Sequence, residues 1–134
     1  MKIEHVAVWT SRPEILRDFY CRFFRGVSND RYHNPSKDFS SYFISFGHGA
    51  RLEIMSRPDI PDNLNNPDNQ YKGLIHFAFE VETMEEVDRL AYKFTEAGFP
   101  LLSGPRKTGD GYYEFEIFDP DRNRVEVGTI YRAD

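Results

Sequence analysis

The feature that most constrains the fold of this 134-residue chain is an internal duplication. The segment IEHVAVW around His5 matches LIHFAFE around His76, 71 residues later. RLEIM around Glu53 likewise resembles RVEVG around Glu126, so each half carries a histidine and then a glutamate at a similar separation. Self-similarity of this kind predicts two copies of one supersecondary unit.

The first half has the residue pattern of a strand, a helix and three further strands. Residues 2–10 are mostly apolar and β-branched, which is typical of a strand; Ser11 is expected to cap the following helix, with Pro13 in its first turn. Apolar residues spaced by three and four give that helix one apolar face, and Gly26 is expected to end it. Three strands are then predicted, at 27–33, 39–47 and 50–56, with a tight turn at Gly47, His48 and Gly49.

The second half repeats this order. It predicts a strand at 73–82, a helix at 84–97, and strands at 99–104, 111–118 and 123–130, with a turn at 119–123. Residues 57–72 are rich in proline, asparagine and aspartate and predict a surface connector. We therefore predict an α+β fold of two tandem βαβββ modules, residues 1–57 and 73–131, within one domain spanning 1–134.

Four polar side chains are predicted to share the sheet faces turned away from the helices. Side chains alternate between the two faces of a strand, so apolar neighbours that pack on a helix leave the intervening residues on the opposite face. By this rule His5, Glu53, His76 and Glu126 all point away from the helices. A charged glutamate between apolar residues is costly unless a cation compensates it.

These residues predict a site for one divalent metal ion. Two imidazoles and two carboxylates suit Zn, Ni, Co, Fe or Mn better than Ca, which prefers more oxygen ligands. A single strand histidine is more often a structural residue, but that interpretation must explain all four equivalent positions at once. His33, apparently in a loop, and His48, in a turn, lack this support, although His33 could line the mouth of a pocket.

Composition excludes several other functions. The net charge is -5 and no basic stripe is interleaved with aromatics, so nucleic acid is not an expected partner. No apolar stretch approaches the roughly 20 residues that span a bilayer, and the charged N-terminus does not resemble a signal peptide. Cys21 is the single cysteine, so no internal disulfide forms. A cytoplasmic protein that acts on a small molecule, not on a membrane, is expected.

On these motifs the chain resembles the vicinal oxygen chelate superfamily, which includes glyoxalase I, extradiol dioxygenases and bleomycin-resistance proteins. The resemblance covers essentially the whole chain and rests on IEHVAV, LIHFAF, RLEIM, RVEVG, the helix start EILRDFY and the turn FDPDRN. It implies two βαβββ modules that form a cupped mixed β-sheet around a metal. The family's usual turn has glycine where Arg122 stands.

The resemblance is closest to bacterial glyoxalase I, a lactoylglutathione lyase, because of the ligand set His5, Glu53, His76 and Glu126. It implies a lyase or isomerase that works through a metal-chelated enediolate, with Glu126 as the first choice of base and Glu53 as its partner. Zn, Ni or Co is the expected metal, with Fe or Mn as alternatives, and a homodimer is the expected assembly.

Two positions depart from the glyoxalase I pattern. Trp9 and Arg57 stand where that family has an arginine and an asparagine that serve glutathione binding. Both are therefore candidate pocket residues for a substrate that need not be a glutathione conjugate. Two other functions stay open: an Fe- or Mn-dependent dioxygenase using His5, His76 and Glu126, and a non-catalytic, drug-sequestering binding protein.

Overall fold

The computed structural model describes residues 1–131 and divides the chain into two compact units, residues 1–62 and a second that begins at Asn63. Each unit contains one mixed sheet and one helix, which confirms the predicted α+β fold. Neither helix within residues 1–131 is long and apolar enough to cross a membrane.

The first unit contains five strands and one helix. They are β1 (His5–Trp9), α1 (Pro13–Phe24), β2 (Val27–Ser28), β3 (Tyr32–Asn34), β4 (Phe39–Ser45) and β5 (Arg51–Ser56). The sheet order is β1-β5-β4-β2, with β3 also paired to β4. β1 runs parallel to β5, and the other pairs are antiparallel.

Up to residue 131, the second unit repeats this arrangement with four strands. They are β6 (His76–Glu80), β7 (Leu101–Lys107), β8 (Tyr112–Phe118) and β9 (Arg124–Ile130), and the helix α2 (Met84–Glu96) follows β6. The sheet order is β6-β9-β8-β7, again with the first and last strands parallel. Each unit therefore places its histidine strand directly beside its glutamate strand.

The apolar face of each helix covers one face of its own sheet. Leu16, Phe19, Tyr20 and Phe23 of α1 and Tyr42, Ile44, Leu52 and Ile54 of β4 and β5 form the buried core of the first unit. The second core consists of Val87, Leu90, Ala91 and Phe94 of α2 with Phe115, Ile117, Val125 and Val127. The alternate residues of the strands thus lie on the opposite face, as the sequence predicts; we call this the open face of each sheet.

Two local predictions for the first unit are wrong. Ser11 does not cap α1, because the N-cap residue is Arg12 and no side chain caps it; instead the Thr10 hydroxyl accepts the Arg12 N–H at 2.8 Å. The strand predicted at 27–33 is two short strands, because Asn29 interrupts it. The Asn29 side-chain oxygen accepts the Phe43 N–H at 2.8 Å, which a continuous strand would pair through backbone.

The residues that end α1 differ from those predicted, and α1 and α2 begin and end in different ways. The left-handed residue that ends α1 is Arg25, with φ of 55°, and not Gly26. Gly26 instead allows close packing, because a Cβ there would lie 2.4 Å from a methyl group of Ile44. In α2, Thr83 accepts the Glu86 N–H at 3.2 Å and Gly98 follows the helix with φ of 86°.

The turn at residues 119–123 is organised by a buried aspartate. Asp119 is 3% exposed, and one carboxylate oxygen accepts the Asp121 and Asn123 N–H groups, each at 2.9 Å. The other accepts the Asn123 side-chain amide at 2.8 Å. This network holds Arg122 at φ of 65°, a left-handed conformation that glycine adopts without steric cost. The conformation accounts for the glycine at this position in the turns that this segment resembles.

We expect Asp119→Ala to lower the free energy of unfolding by about 2 kcal/mol, because it leaves buried N–H donors without acceptors. Urea titration followed by circular dichroism measures this change. Asp68→Ala, which removes an exposed carboxylate, is the control and should change stability by less than about 0.5 kcal/mol. Equal effects of the two substitutions would contradict this role for Asp119.

Candidate metal site

The first unit brings His5 and Glu53 together on its open face. Nε2 of His5 lies 3.5 Å from Oε2 of Glu53, and the two side chains are 41% and 15% exposed. In the parallel register Glu53 stands beside Ala7, whose small side chain leaves the carboxylate room. The other ring nitrogen of His5 is hydrogen-bonded to the Glu4 carboxylate, which orients the imidazole.

The second unit builds the same pair with His76 and Glu126. Nε2 of His76 lies 3.3 Å from Oε2 of Glu126, and the side chains are 41% and 16% exposed. Glu126 stands beside Ala78, as Glu53 stands beside Ala7. Two modules of different sequence therefore produce nearly the same pair geometry.

This spacing fits two ligands of one ion. Ligand atoms that each lie about 2.1 Å from a tetrahedral metal are about 3.4 Å apart. The His–Glu distances of 3.5 and 3.3 Å bracket that value. Within residues 1–131, however, no three or more His, Cys, Asp or Glu side chains are grouped to hold a metal. The structure thus forms two half-sites of two side chains each.

The two half-sites differ in what lies beside the glutamate. On β4 the residue in register with Glu53 is Phe43, whose ring also meets the His5 ring edge-on at 5.4 Å. On β8 the residue in register with Glu126 is Glu116. The first glutamate therefore has an aromatic neighbour and the second an acidic one.

Electrostatic surroundings set Glu126 apart. Burial raises the pKa of the Glu126 carboxyl above its usual value, while the neighbouring His76 opposes the rise. Glu114 and Glu116 raise the pKa further by repulsion, and Arg106 lowers it. The balance favours proton uptake by this carboxylate.

Sequence reasoning missed Arg124, a buried arginine at the edge of the second half-site. It is 7% exposed and stands in register with His76. One terminal nitrogen donates to Glu116 Oε2 at 3.0 Å, and the other donates to the backbone oxygens of Pro67 at 3.1 Å and Asn66 at 3.3 Å. Arg124 thus holds Glu116 and anchors the connector. The only sequence signal is an arginine two residues before each predicted ligand glutamate, Arg51 and Arg124.

A shallow cleft adjoins the first half-site. It has a volume of about 240 Å³ and is lined by Lys2, Glu4, Ser45, Phe46, Gly47, His48, Gly49 and Arg51. Arg51 donates to Glu4 at 2.7 Å and its guanidinium covers the Phe43 ring at 4.2 Å. His48, predicted to lie in a turn, is exposed in this wall, whereas His33 lies exposed in β3 and not in a loop.

The two candidate pocket residues are in contact with each other. The guanidinium of Arg57 lies over the Trp9 ring, 5.4 Å from its centroid. Trp9 is on the same open face as His5, two strand residues beyond Ala7. The structure therefore places this pair on the His5–Glu53 surface.

Known proteins resemble the chain at several levels. Over 58 residues it is 40% identical to "Uncharacterized protein YqjT" of Bacillus subtilis (strain 168); that segment is 41% of this chain and 45% of the relative, less than half of its length. A glyoxalase family protein from Enterococcus faecalis has a solved structure with 28% identity and a TM-score of 0.74, covering 95% of this chain and 96% of that one.

Two more distant structures share the fold. The trypanothione-dependent glyoxalase I of Leishmania major has a TM-score of 0.75 at 15% identity, covering 98% of this chain and 86% of that chain. FosX, the fosfomycin resistance protein of Listeria monocytogenes solved with Mn(II) and sulfate, has a TM-score of 0.69 at 16% identity, covering 95% and 90%.

The match to a family description extends over nearly the whole chain. The sequence profile of the Glyoxalase/Bleomycin resistance protein/Dioxygenase superfamily matches residues 2–127, which include both His–Glu pairs and most of both modules. This match confirms the resemblance to the vicinal oxygen chelate proteins. The chain belongs to the Glyoxalase/Bleomycin resistance protein/Dioxygenase superfamily.

Proposed function

We propose that this protein is a metal-dependent lyase or isomerase of the glyoxalase I type, acting on a small compound with two neighbouring oxygens. The observation that supports it most strongly is the equivalent His–Glu pair on the open face of each module, at 3.5 and 3.3 Å. The Leishmania glyoxalase I and FosX, a protein solved with Mn(II), have the same fold.

In this proposal His5, Glu53, His76 and Glu126 hold one divalent ion, with Zn, Ni or Co as the first choices and Fe or Mn as alternatives. The donor set fits because imidazole and carboxylate are the ligands these metals accept, and because the paired atoms have the spacing of ligands to one ion. When bound, the ion supplies electrophilic stabilisation of negative charge on the substrate oxygens.

The protein's own residues supply orientation and proton transfer. Glu4 fixes the His5 ring through its second nitrogen. Glu126 takes the proton from the carbon next to the substrate carbonyl on Oε1, the oxygen not paired with His76, and returns it to the neighbouring carbon, with Glu53 as its counterpart. Arg124 holds Glu116 beside Glu126, so the acidic surroundings of the base are fixed.

A four-ligand site needs both half-sites, either of one chain or of two copies in a homodimer. The proposal includes the homodimer because each module offers two ligands, so that two copies can complete a four-ligand site. Native mass spectrometry with and without added metal distinguishes a monomer from a dimer.

The oxygenase alternative fits the structure less well. It would use three ligands and leave Glu53 without a function. Glu53 is nevertheless paired with His5 in the same geometry as Glu126 with His76, and it is only 15% exposed. A paired, half-buried carboxylate of this kind is better explained as a ligand.

Metal content tests the proposal. We expect purified protein reconstituted with Zn, Ni or Co to bind the metal stoichiometrically, and His5→Ala to lower the affinity at least about 10-fold because it removes one of the four ligands. Inductively coupled plasma mass spectrometry after dialysis gives the metal-to-protein ratio. His48→Ala removes an exposed histidine of the same module and should leave the ratio unchanged.

The outcomes separate the candidate functions. If the wild-type protein binds iron and His5→Ala loses it, the oxygenase would be favoured over the isomerase. Failure of the wild-type protein to bind any of the five metals would contradict the enzyme proposal and leave a binding protein. An equal decrease of the metal-to-protein ratio in His5→Ala and His48→Ala would show that the metal binds histidines nonspecifically.

A further inference from the structure

Beside the first half-site, the open face carries a cluster of aromatic side chains and one arginine: Trp9, Tyr32, Phe39 and Arg57. We refer to these four residues as the aromatic patch. We propose that the aromatic patch binds an aromatic ring bearing a carboxylate, as the part of the substrate remote from the reacting carbons. The inference rests on the proposed function only for where the reacting carbons lie; binding of the aromatic acid itself does not require metal.

The rings of the aromatic patch form a continuous surface. Trp9 meets Phe39 at 6.2 Å between centroids with an interplanar angle of 89°, and Tyr32 meets Phe39 at 6.2 Å and 59°. Trp9 is 39% exposed and Tyr32 is 53% exposed, so part of each ring is accessible to a ligand. Edge-to-face pairs of this kind leave ring faces free to stack on a flat ligand.

Arg57 provides a cation at the border of these rings. Its guanidinium lies over the Trp9 ring at 5.4 Å, and its Nε donates to the Asp59 carboxylate at 2.5 Å. Among residues 1–131, no acceptor is bonded to its two terminal nitrogens. Those nitrogens offer parallel N–H groups, the geometry that binds a carboxylate with two hydrogen bonds.

The position of the aromatic patch relates it to the metal half-site. Trp9 is in register with Met55, which follows Glu53 by two residues, about 7 Å along an extended strand. His5, Glu53 and Trp9 all lie on the open face. A ligand whose reacting oxygens lie at the His5–Glu53 half-site can therefore extend along the sheet and place a ring on Trp9.

At the other end of the open face, beside Arg51, the combination of accessible rings and an arginine with unbonded terminal nitrogens is absent among residues 1–131. There Arg51 also covers a ring, that of Phe43, but its guanidinium is hydrogen-bonded and ion-paired to Glu4 through two nitrogens. Arg57 uses only Nε for its acidic partner. A ligand carboxylate is thus directed to Arg57, next to the accessible rings of Trp9 and Tyr32.

The single tryptophan makes the proposal testable without any reaction. Benzoate added to metal-free, chelator-treated protein should quench Trp9 fluorescence excited at 295 nm in a saturable manner. Benzamide, which lacks the charge, and cyclohexanecarboxylate, which lacks the aromatic ring, should each bind at least about fivefold more weakly. Titration of N-acetyltryptophanamide with the same compounds corrects for collisional quenching.

Variants assign the two recognition elements. Arg57→Gln should weaken benzoate at least about fivefold while leaving benzamide unchanged, because it removes the charge alone. Phe39→Leu should weaken benzoate and benzamide together, because it removes a ring from the patch. Arg22→Gln is the matched control, since Arg22 also covers a ring, that of Phe23 at 4.8 Å, but lies on α1 away from the patch.

The result expected is saturable quenching by benzoate that Arg57→Gln weakens and Arg22→Gln does not. Equal binding of benzoate and cyclohexanecarboxylate, or no effect of Arg57→Gln, would overturn the proposal. Loss of benzoate quenching as the protein concentration is raised would also overturn it, because a second copy would then occupy the patch. Metal-free protein is used throughout, so failure to bind metal would leave this result intact.

Discussion

Metal-loaded Glu126→Gln is expected to turn over its substrate roughly 10²- to 10⁴-fold more slowly than the wild-type protein, the contribution typical of a positioned general base. The substitution keeps the shape and one oxygen of the side chain but removes its ability to take a proton. Burial and the neighbouring Glu114 and Glu116 raise the pKa of the Glu126 carboxyl, which makes it a stronger proton acceptor than a glutamate of ordinary pKa. Initial rates with hemithioacetals of methylglyoxal and phenylglyoxal measure the effect.

Glu53→Gln and Glu80→Gln complete this experiment. Glu53 is the equivalent ligand but lies in register with Phe43 instead of an acidic residue, so its substitution should affect metal content more than the rate of metal-loaded protein. Glu80 lies exposed on the same strand face as His76 and serves as the control, with activity within about twofold of wild type. Rates of Glu126→Gln equal to those of Glu80→Gln would exclude Glu126 as the base.

The architecture was predictable because the duplication and the alternation of side chains describe the same arrangement. His5 and Glu53 are 48 residues apart in the sequence, yet both fall on the polar side of a strand pattern. The parallel pairing of β1 with β5 then brings them to 3.5 Å. A period-two pattern predicts a residue's face, and the repeat predicts which strands are equivalent.

Other features depend on single side chains that carry no periodic signal. The broken strand at residues 27–34 follows from one hydrogen bond of Asn29, and the start of α1 follows from Thr10 instead of Ser11. Arg124 looks like a charged end of a strand in the sequence, although it is buried by its bonds to Glu116 and the connector. Such contacts depend on single side chains and do not recur along the chain, so periodic patterns do not predict them.

The His–Glu geometry is nearly the same in the two modules, but the residues around each pair differ. In the register of each sheet, Phe43 occupies the place of Glu116, and Arg124 donates to the connector carbonyls whereas Arg51 donates to Glu4. The first half-site therefore adjoins aromatic residues and the second adjoins carboxylates. This asymmetry suits a site in which one half contacts the body of a substrate and the other half moves its proton.

The largest change in stability is expected from Phe94→Ala, which should lower the free energy of unfolding by about 3–5 kcal/mol. Phe94 is fully buried on the face of α2 that packs on the sheet, and its ring meets Phe115 at 5.9 Å and Phe99 at 6.2 Å. Truncation removes buried apolar surface and leaves a cavity that β8 cannot fill. A domain of this size has a total stability of roughly 5–15 kcal/mol, so much of it would be lost.

Circular dichroism at 222 nm during urea unfolding is the appropriate measurement, because the single tryptophan, Trp9, lies in the first unit and Phe94 in the second. Tyr92→Ala on the same helix is the matched control. Its side chain is 67% exposed, so its removal should change the free energy of unfolding by less than about 0.5 kcal/mol. Similar losses from both variants would contradict a dominant contribution to stability from the face of α2 that packs on Phe115.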